Sequence, residues 1–371
     1  MSEQGPRIAI VHDYLNQRGG AERVVGALHE LYPDAPIYTT IVDYQSLWPE
    51  LKGADIRVTW MQRLPFIKRY YRMYLFFYPL AIESIDLRGY DIIISSSSAF
   101  AKGAIKPKGG LHVCYCYTPM RFVWDAKHYL ENEGYGHFAK LVFSLLLKAV
   151  KSWDLKTSRR PDYYVAISTA IKERIDRFYG LPSEVIFPPV DFARFKVQDT
   201  FDDYYLIVSR LHGYKRIELA VEAANRLGVP LKIVGSGPSM KTLKRLAKPN
   251  VELLGRLEDE EVTMLYARCK ALIFPGIEDF GIAPLEANAA GRPVIAYKAG
   301  GALDTVINGV TGYFFDSATP ESLMAAMARM ETDAGAFNPA VMRAHAMRFD
   351  KSVFKERFSA FVAQAYLRSS K

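Results

Sequence analysis

The chain has 371 residues, half of them hydrophobic, and a formal net charge of +8. That length exceeds what one core usually organises, so two domains are expected, and the cationic balance favours anionic partners such as a phosphorylated substrate or an acidic membrane surface. No zinc-finger spacing, recognition-helix pattern or aromatic RNA-binding motif accompanies the charge, which argues against nucleic acid as a partner.

Taken in chain order, the start Met1–Arg7 has no apolar leader core, and no uncharged stretch reaches the roughly 18 apolar residues of a spanning helix. A cytoplasmic protein, at most lying on a membrane, is expected. Ile8–Val11 reads as a buried strand, Gly19-Gly20 as a glycine turn, and Ala21–Leu31 as a helix. Two residues without a Cβ at a helix start allow close approach of a phosphate, although the long loop Asp13–Arg18 sets this apart from a dinucleotide fingerprint. A plain helix start is the alternative.

Further strands are predicted at Ile37–Val42, Ile56–Trp60, Ile92–Ser95 and His112–Tyr117. Among them, Arg57–Ile82 carries five basic residues (Arg57, Arg63, Lys68, Arg69, Arg72), no acidic ones, and the rings Phe66, Tyr70, Tyr71, Tyr74, Phe76, Phe77 and Tyr78. Cations for lipid phosphates and rings for headgroup depth on one amphipathic element predict an anchor on an anionic membrane surface; a tyrosine-rich helix packed in the domain is the alternative. Ser95–Ser98 reads as a turn with free donors at a strand edge. Cys114, Cys116 and Cys269 are the only cysteines, an odd and sparse set that predicts reduced thiols, and Cys114-x-Cys116 lacks a second ligand pair, so no metal is expected there.

Phe138–Trp153 is a strongly apolar helix, Asp162–Ser168 a strand with a capping serine, and Ile186–Asp191 an extended linker. Strands then alternate with helices at Tyr204–Arg210, Leu231–Gly235, Val251–Leu254, Ala271–Pro275 and Pro293–Tyr297, the pattern of a second parallel sheet with ligands at its strand ends. Arg210 and Lys215 follow the first of these, with Lys215 expected to open the next helix, and both could face a diphosphate. Gly235-Ser-Gly237 and Gly300-Gly301 are loops that admit phosphate near the main chain. In Lys270–Tyr297 a strand, a loop with Gly276 and Gly281, a short helix from Ile282 and a second strand carry Glu278 and Glu286, eight positions apart. Backbone N–H groups at that helix start would meet an anion beside two carboxylates, which suggests a nucleotide-sugar. The chain closes in helices, the last with Phe354, Phe358, Phe361 and Val362 on one face.

Glu278-Asp-Phe-Gly-Ile-Ala-Pro-Leu-Glu286 resembles the Glu-x7-Glu motif of retaining glycosyltransferases of family 4. The likeness extends to Gly19-Gly20-Ala-Glu-Arg, to Thr118-Pro-Met-Arg-Phe-Val-Trp-Asp125 and to Ser209-Arg210 with Lys215, the first two resembling the branch of O-antigen and exopolysaccharide mannosyltransferases. The resemblance implies an α/β architecture of the GT-B kind, two Rossmann-like domains facing across a cleft. Residues 1–188, with a final helix 352–371 crossing back, would bind the acceptor, and 189–351 would bind the nucleotide-sugar.

The activity implied is transfer of a sugar, expected to be mannose from GDP-mannose, to a lipid-linked acceptor at the inner face of the cytoplasmic membrane. It implies Glu278, Arg210 and Lys215 as catalytic residues. Donor contacts are implied for Gly19, Gly20, Tyr117, Gly235, Gly237, Leu257, Phe280, Gly281, Ile282, Ala283 and Glu286, with the backbone near Leu257 reading the base and Glu286 the ribose. Tyr117 departs from relatives, which often carry histidine there. Arg121 and Asp125 are candidates for the acceptor, with a salt bridge as the plainer role of Arg121. No cofactor is implied, and the chain has no Asp-x-Asp metal clamp. A UDP- or dTDP-sugar transferase, a nucleotide-sugar epimerase and a non-catalytic nucleotide-sugar-binding protein are the alternatives.

Overall fold

The computed structural model describes residues 5–124, 137–198, 200–333 and 335–369. The chain divides into two compact units, Met1–Pro189 with Phe354–Lys371, and Val190–Val353. Each is a parallel sheet flanked by helices, the two Rossmann-like domains that the sequence predicts.

The first sheet has seven strands: β1 (Ile8–His12), β2 (Ile37–Thr39), β3 (Ile56–Val58), β4 (Ile92–Ser97), β5 (Leu111–Cys116), β6 (Tyr163–Ala166) and β7 (Ser183–Val185). Their order is β3-β2-β1-β4-β5-β6-β7. Strands covered on both faces read as continuous apolar runs, and β4 and β5 are buried along their whole length. The second sheet has six: β8 (Tyr205–Val208), β9 (Leu231–Val234), β10 (Val251–Gly255), β11 (Ala271–Phe274), β12 (Val294–Tyr297) and β13 (Gly312–Phe315), in the order β10-β9-β8-β11-β12-β13. In each sheet the winding reverses beside the first strand, between β1 and β4 and between β8 and β11, and such reversals open a crevice at the strands' carboxyl ends.

The helix Lys351–Ser369 lays Phe354 and Phe358 edge-on to Tyr115, with centroids 5.6 and 5.7 Å away, and Phe361 against Tyr163. Burying a phenylalanine side chain stabilises by about 1.5–3 kcal/mol, so this aromatic cluster fixes the helix on the first sheet. An ion pair of 2.5 Å between Lys355 and Glu30 adds a polar contact at its edge.

The basic aromatic segment is not the single amphipathic element expected. Pro65 and Pro79 cannot lie inside one continuous helix, and the chain breaks into a short helix Ile67–Tyr70, a 3₁₀ stretch Tyr71–Phe77 and a helix Tyr78–Glu83. Its rings divide between two environments. Tyr78 is buried and stacked on Phe100 at 4.9 Å, with Tyr71, Tyr74 and Phe76 packed on the same core, while Phe66, Tyr70 and Phe77 are exposed together with Trp60, Met73 and Leu80.

Candidate active site

In the second unit, the loops after β8 and β11 meet at the winding reversal. Lys215 ends a 3₁₀ turn, Gly213–Lys215, instead of opening a helix, because Arg216 takes a left-handed conformation (φ 53°) before the helix Ile217–Leu227 begins. A non-glycine residue held there costs of order 1–3 kcal/mol, a local strain that recurs at functional sites. The turn sends Lys215 inward, where it is 7% exposed, and takes the Arg216 guanidinium to 5.0 Å from the centre of the Tyr297 ring.

Lys215 Nζ is ion-paired with Glu278 Oε1, bringing two sequence-predicted residues into direct contact. Gly276 permits this pairing, since a Cβ there would lie 2.8 Å from Lys215 Cα. Glu278 remains partly open to solvent, its carbonyl accepting the Gly301 N–H at 2.8 Å, so the Gly300-Gly301 turn is stitched to the same loop. Gly281 then adopts φ 89° and starts the helix Ile282–Ala289, whose first turn has neither a capping side chain nor an acidic residue. Ile282 and Ala283 are half-buried at that helix start.

Glu286 sits on the same helix, 8% exposed, and both its oxygens are engaged. Tyr266 OH donates to Oε2 at 2.9 Å and Arg194 Nη2 to Oε1 at 3.1 Å. Neither partner was singled out by sequence reasoning. Phe280 is buried against Phe349, a core position, and Leu257 lies half-buried in the loop after β10. Arg210 is exposed. Gly235 and Gly237 pack on the backbone of Ser209 and Leu211, where any Cβ would collide, so their first role is to let two loops touch. Among the described residues no group of three or more His, Cys, Asp or Glu could hold a metal ion.

In the first unit the Gly19-Gly20 turn has a different character. Gly19 is extended and caps the helix Gly20–Leu31, while Glu22 folds back over it with Oε2 2.6 Å from where a Gly19 Cβ would stand. Glu22 is 2% exposed, Oε1 accepts from Gln17 Nε2 at 3.1 Å, and Oε2 has no hydrogen-bond partner. This helix start already carries a carboxylate. Tyr117, buried beneath it, donates its hydroxyl to the Ala21 carbonyl at 3.0 Å and meets Ser96 Oγ at 2.7 Å; burial drives its pKa well above the phenol range. The tyrosine thus props up the helix that follows the glycine pair.

Ser95–Ser98 is corrected in the same way. Ser95–Ser97 belong to β4, and the Ser98 N–H and Oγ donate to Asp13, whose carboxylate also accepts from the N–H groups of Ala99, Phe100 and Ala101. These donors are spent on fastening one loop. Arg121 opens a short helix Arg121–Trp124; Asp125 lies outside the described residues. Trp124 Nε1 and Tyr179 OH donate to Asp154, which is also ion-paired with the buried Lys102, so the motif's tryptophan serves a structural cluster.

The family described as Glycosyltransferase Family 4 matches residues 18–194, and that described as Glycosyl transferases group 1 matches 191–347. The O-antigen chain mannosyltransferase C of Escherichia coli is 30% identical over 172 residues, 43% of this chain and 46% of that protein. The GDP-mannose-dependent alpha-mannosyltransferase of Corynebacterium glutamicum is 36% identical over 110 residues, 29% of this chain and 26% of that protein. The chain spans about half the length, or less, of these curated relatives. Anabaena Alr3699/HepE, solved in complex with UDP, superposes with a TM-score of 0.72 over 96% of this chain and all of that one, at 18% identity. The fold is of the GT-B kind, and both matched models are those of glycosyltransferase families. The family 4 region and the group 1 region together run almost end to end from residue 18 to 347.

Proposed function

We propose that this glycosyltransferase moves mannose from GDP-mannose to a lipid-linked saccharide acceptor, with retention of anomeric configuration, in the synthesis of a bacterial surface polysaccharide or glycolipid. The observation that carries the reading is the buried Lys215 ion-paired with Glu278, in the loop before a helix whose first turn holds no acidic residue. Charge develops on the departing diphosphate as the glycosidic bond breaks, and stabilising that charge is the main electrostatic task. Lys215, Arg210 and the amides of Gly281 and Ile282 carry it in this proposal, without a metal ion. Glu278 holds the sugar hydroxyls and Glu286 the ribose. A carboxylate already occupies the helix start at Gly20, so the Gly19-Gly20 turn suits neutral hydroxyls of an acceptor better than a diphosphate, and Arg121 is assigned to the acceptor side.

The relatives support mannose through their names, while the UDP bound to the Anabaena protein favours a second reading, a UDP-sugar donor. Labelled GDP-mannose and UDP-glucose, each offered with a lipid-linked acceptor, separate the two. Transfer from GDP-mannose with a retained anomeric centre by NMR is expected, together with a larger thermal stabilisation by GDP than by UDP or dTDP. Preferred transfer from UDP-glucose would overturn the mannose assignment, an inverted product the retaining one, and binding without transfer the enzyme assignment itself.

The acceptor places the protein at a membrane in this proposal. Among the described residues no helix is long and apolar enough to cross one. The exposed Phe66, at 78%, and Met73, at 75%, stand with Lys68, Arg69 and Arg72 on the broken segment, and Phe66 is held at φ 50°, which turns a large ring outward. Lys68 is shared with Asp43 at 3.2 Å. Basic residues near an anionic surface contribute about 1 kcal/mol each. Replacing Lys68, Arg69 and Arg72 by glutamine is expected to weaken sedimentation with phosphatidylglycerol vesicles at least tenfold in partition coefficient, and salt to do the same to the wild type. Equal sedimentation of both proteins would leave the segment a packed element only.

A further inference from the structure

Glu286 has both of its carboxylate oxygens hydrogen-bonded by the protein before any ligand arrives. Tyr266 is fully buried on the helix Asp259–Arg268, and its hydroxyl donates to Oε2 at 2.9 Å. Burial, and after it the adjacent Glu286 carboxylate, raises its pKa well above the phenol range, so it stays a donor at all physiological pH. Arg194 donates Nη2 to Oε1 at 3.1 Å and pairs through Nη1 with Asp259 at 2.5 Å. Its guanidinium lies 4.9 Å from the Phe195 ring, which in turn meets Tyr266 edge-on at 5.7 Å.

A carboxylate with one donor fixed on each oxygen cannot rotate about its final torsion without breaking a charge-assisted bond. Each carboxylate oxygen has two lone pairs, so one acceptor site per oxygen remains after Tyr266 and Arg194 are satisfied. Both remaining sites lie in the carboxylate plane, and a carboxylate can accept from two hydroxyls on adjacent carbons at once.

We propose that Arg194 and Tyr266 are positioning residues that preset Glu286 as a two-point acceptor for the cis-diol of a ribonucleotide, so that the protein selects ribonucleoside diphosphates over those lacking the diol. This rests on the reading that Glu286 binds the ribose. A preset acceptor rejects the analogue without the hydroxyls because its buried oxygens are then left unmatched.

The test is calorimetry of GDP, UDP and 2′,3′-dideoxy-GDP binding to the wild type, Tyr266→Phe, Arg194→Gln and Glu286→Gln. Tyr266→Phe keeps the ring and removes one hydrogen bond to a charged group, and about a tenfold loss of affinity for the preferred ribonucleotide is expected, with a similar loss in Arg194→Gln. The dideoxy nucleotide should bind weakly to the wild type and equally weakly to both variants, a pattern that general loosening of the fold would not give. Thermal melts confirm folding of each variant, and Arg194, partly exposed, provides the arm least prone to misfolding. If Glu286→Gln weakens ribonucleotide binding while Tyr266→Phe and Arg194→Gln do not, the positioning role is overturned and the ribose reading stands. If Glu286→Gln binds the ribonucleotide as tightly as wild type, the ribose reading itself fails, and the inference with it.

Discussion

Glu278→Gln is expected to lower the rate of sugar transfer by roughly ten- to a hundredfold, the range set by losing one charge-assisted contact to a substrate hydroxyl. The substitution preserves volume, and the amide oxygen can still accept from Lys215, so the loop should keep its place. Some stability is lost, because the buried Lys215 exchanges a full counter-charge for a dipole. The loss should be modest, since Glu278 is a quarter exposed and water screens the pair. Steady-state kinetics with matched thermal melts checks both halves. A variant with more than half of wild-type turnover would remove Glu278 from the site.

Lys215→Ala is the second large effect, and it should appear in binding as well as in turnover, because a free nucleoside diphosphate carries the same charges as the leaving group. About a ten- to hundredfold loss of affinity is expected from removing one buried ammonium. Arg210→Ala should cost less. Its guanidinium is exposed, and water competes for the phosphate there, whereas Lys215 is held in place by its turn and by Gly276. Calorimetry with the free diphosphate ranks the two. Unchanged affinity in both variants would put the phosphates elsewhere.

The stretch around β11 was legible in the sequence because its signals are local. An apolar run, two glycines, a short helical pattern and a second apolar run follow one another without interruption, and the carboxylates lie inside that frame. The alternation of apolar runs with helical patterns likewise announced both parallel sheets. Two strands escaped: β7 is Ser-Glu-Val at the edge of the first sheet, too short and too polar to show a buried face, and β13 is only four residues at the edge of the second. What could not be read were contacts between distant positions. Arg194 reaches Glu286 across 92 residues, and Asp13 gathers donors 85 to 88 positions away, distances at which no periodicity helps. Tyr117 was ambiguous for a related reason, since whether a strand-end tyrosine meets a ligand or the protein's own backbone depends on the helix that folds over it.

The rim of the second sheet also shapes how this family can change. Gly235 and Gly301 stand where a side chain of any size would run into the carbonyl groups of Ser209 and Phe280. Such positions have no mutational neighbours: every single-step replacement damages the loop architecture before it can alter a ligand. Drift is thereby channelled into the residues between the glycines, Ser236 and Ile277 among them, whose side chains can vary without moving the main chain. New donor preferences in this lineage should therefore arise by exchanging those side chains over a nearly invariant backbone path, and a scan of tolerated sequences would show sharply alternating permissive and forbidden sites along the same few loops.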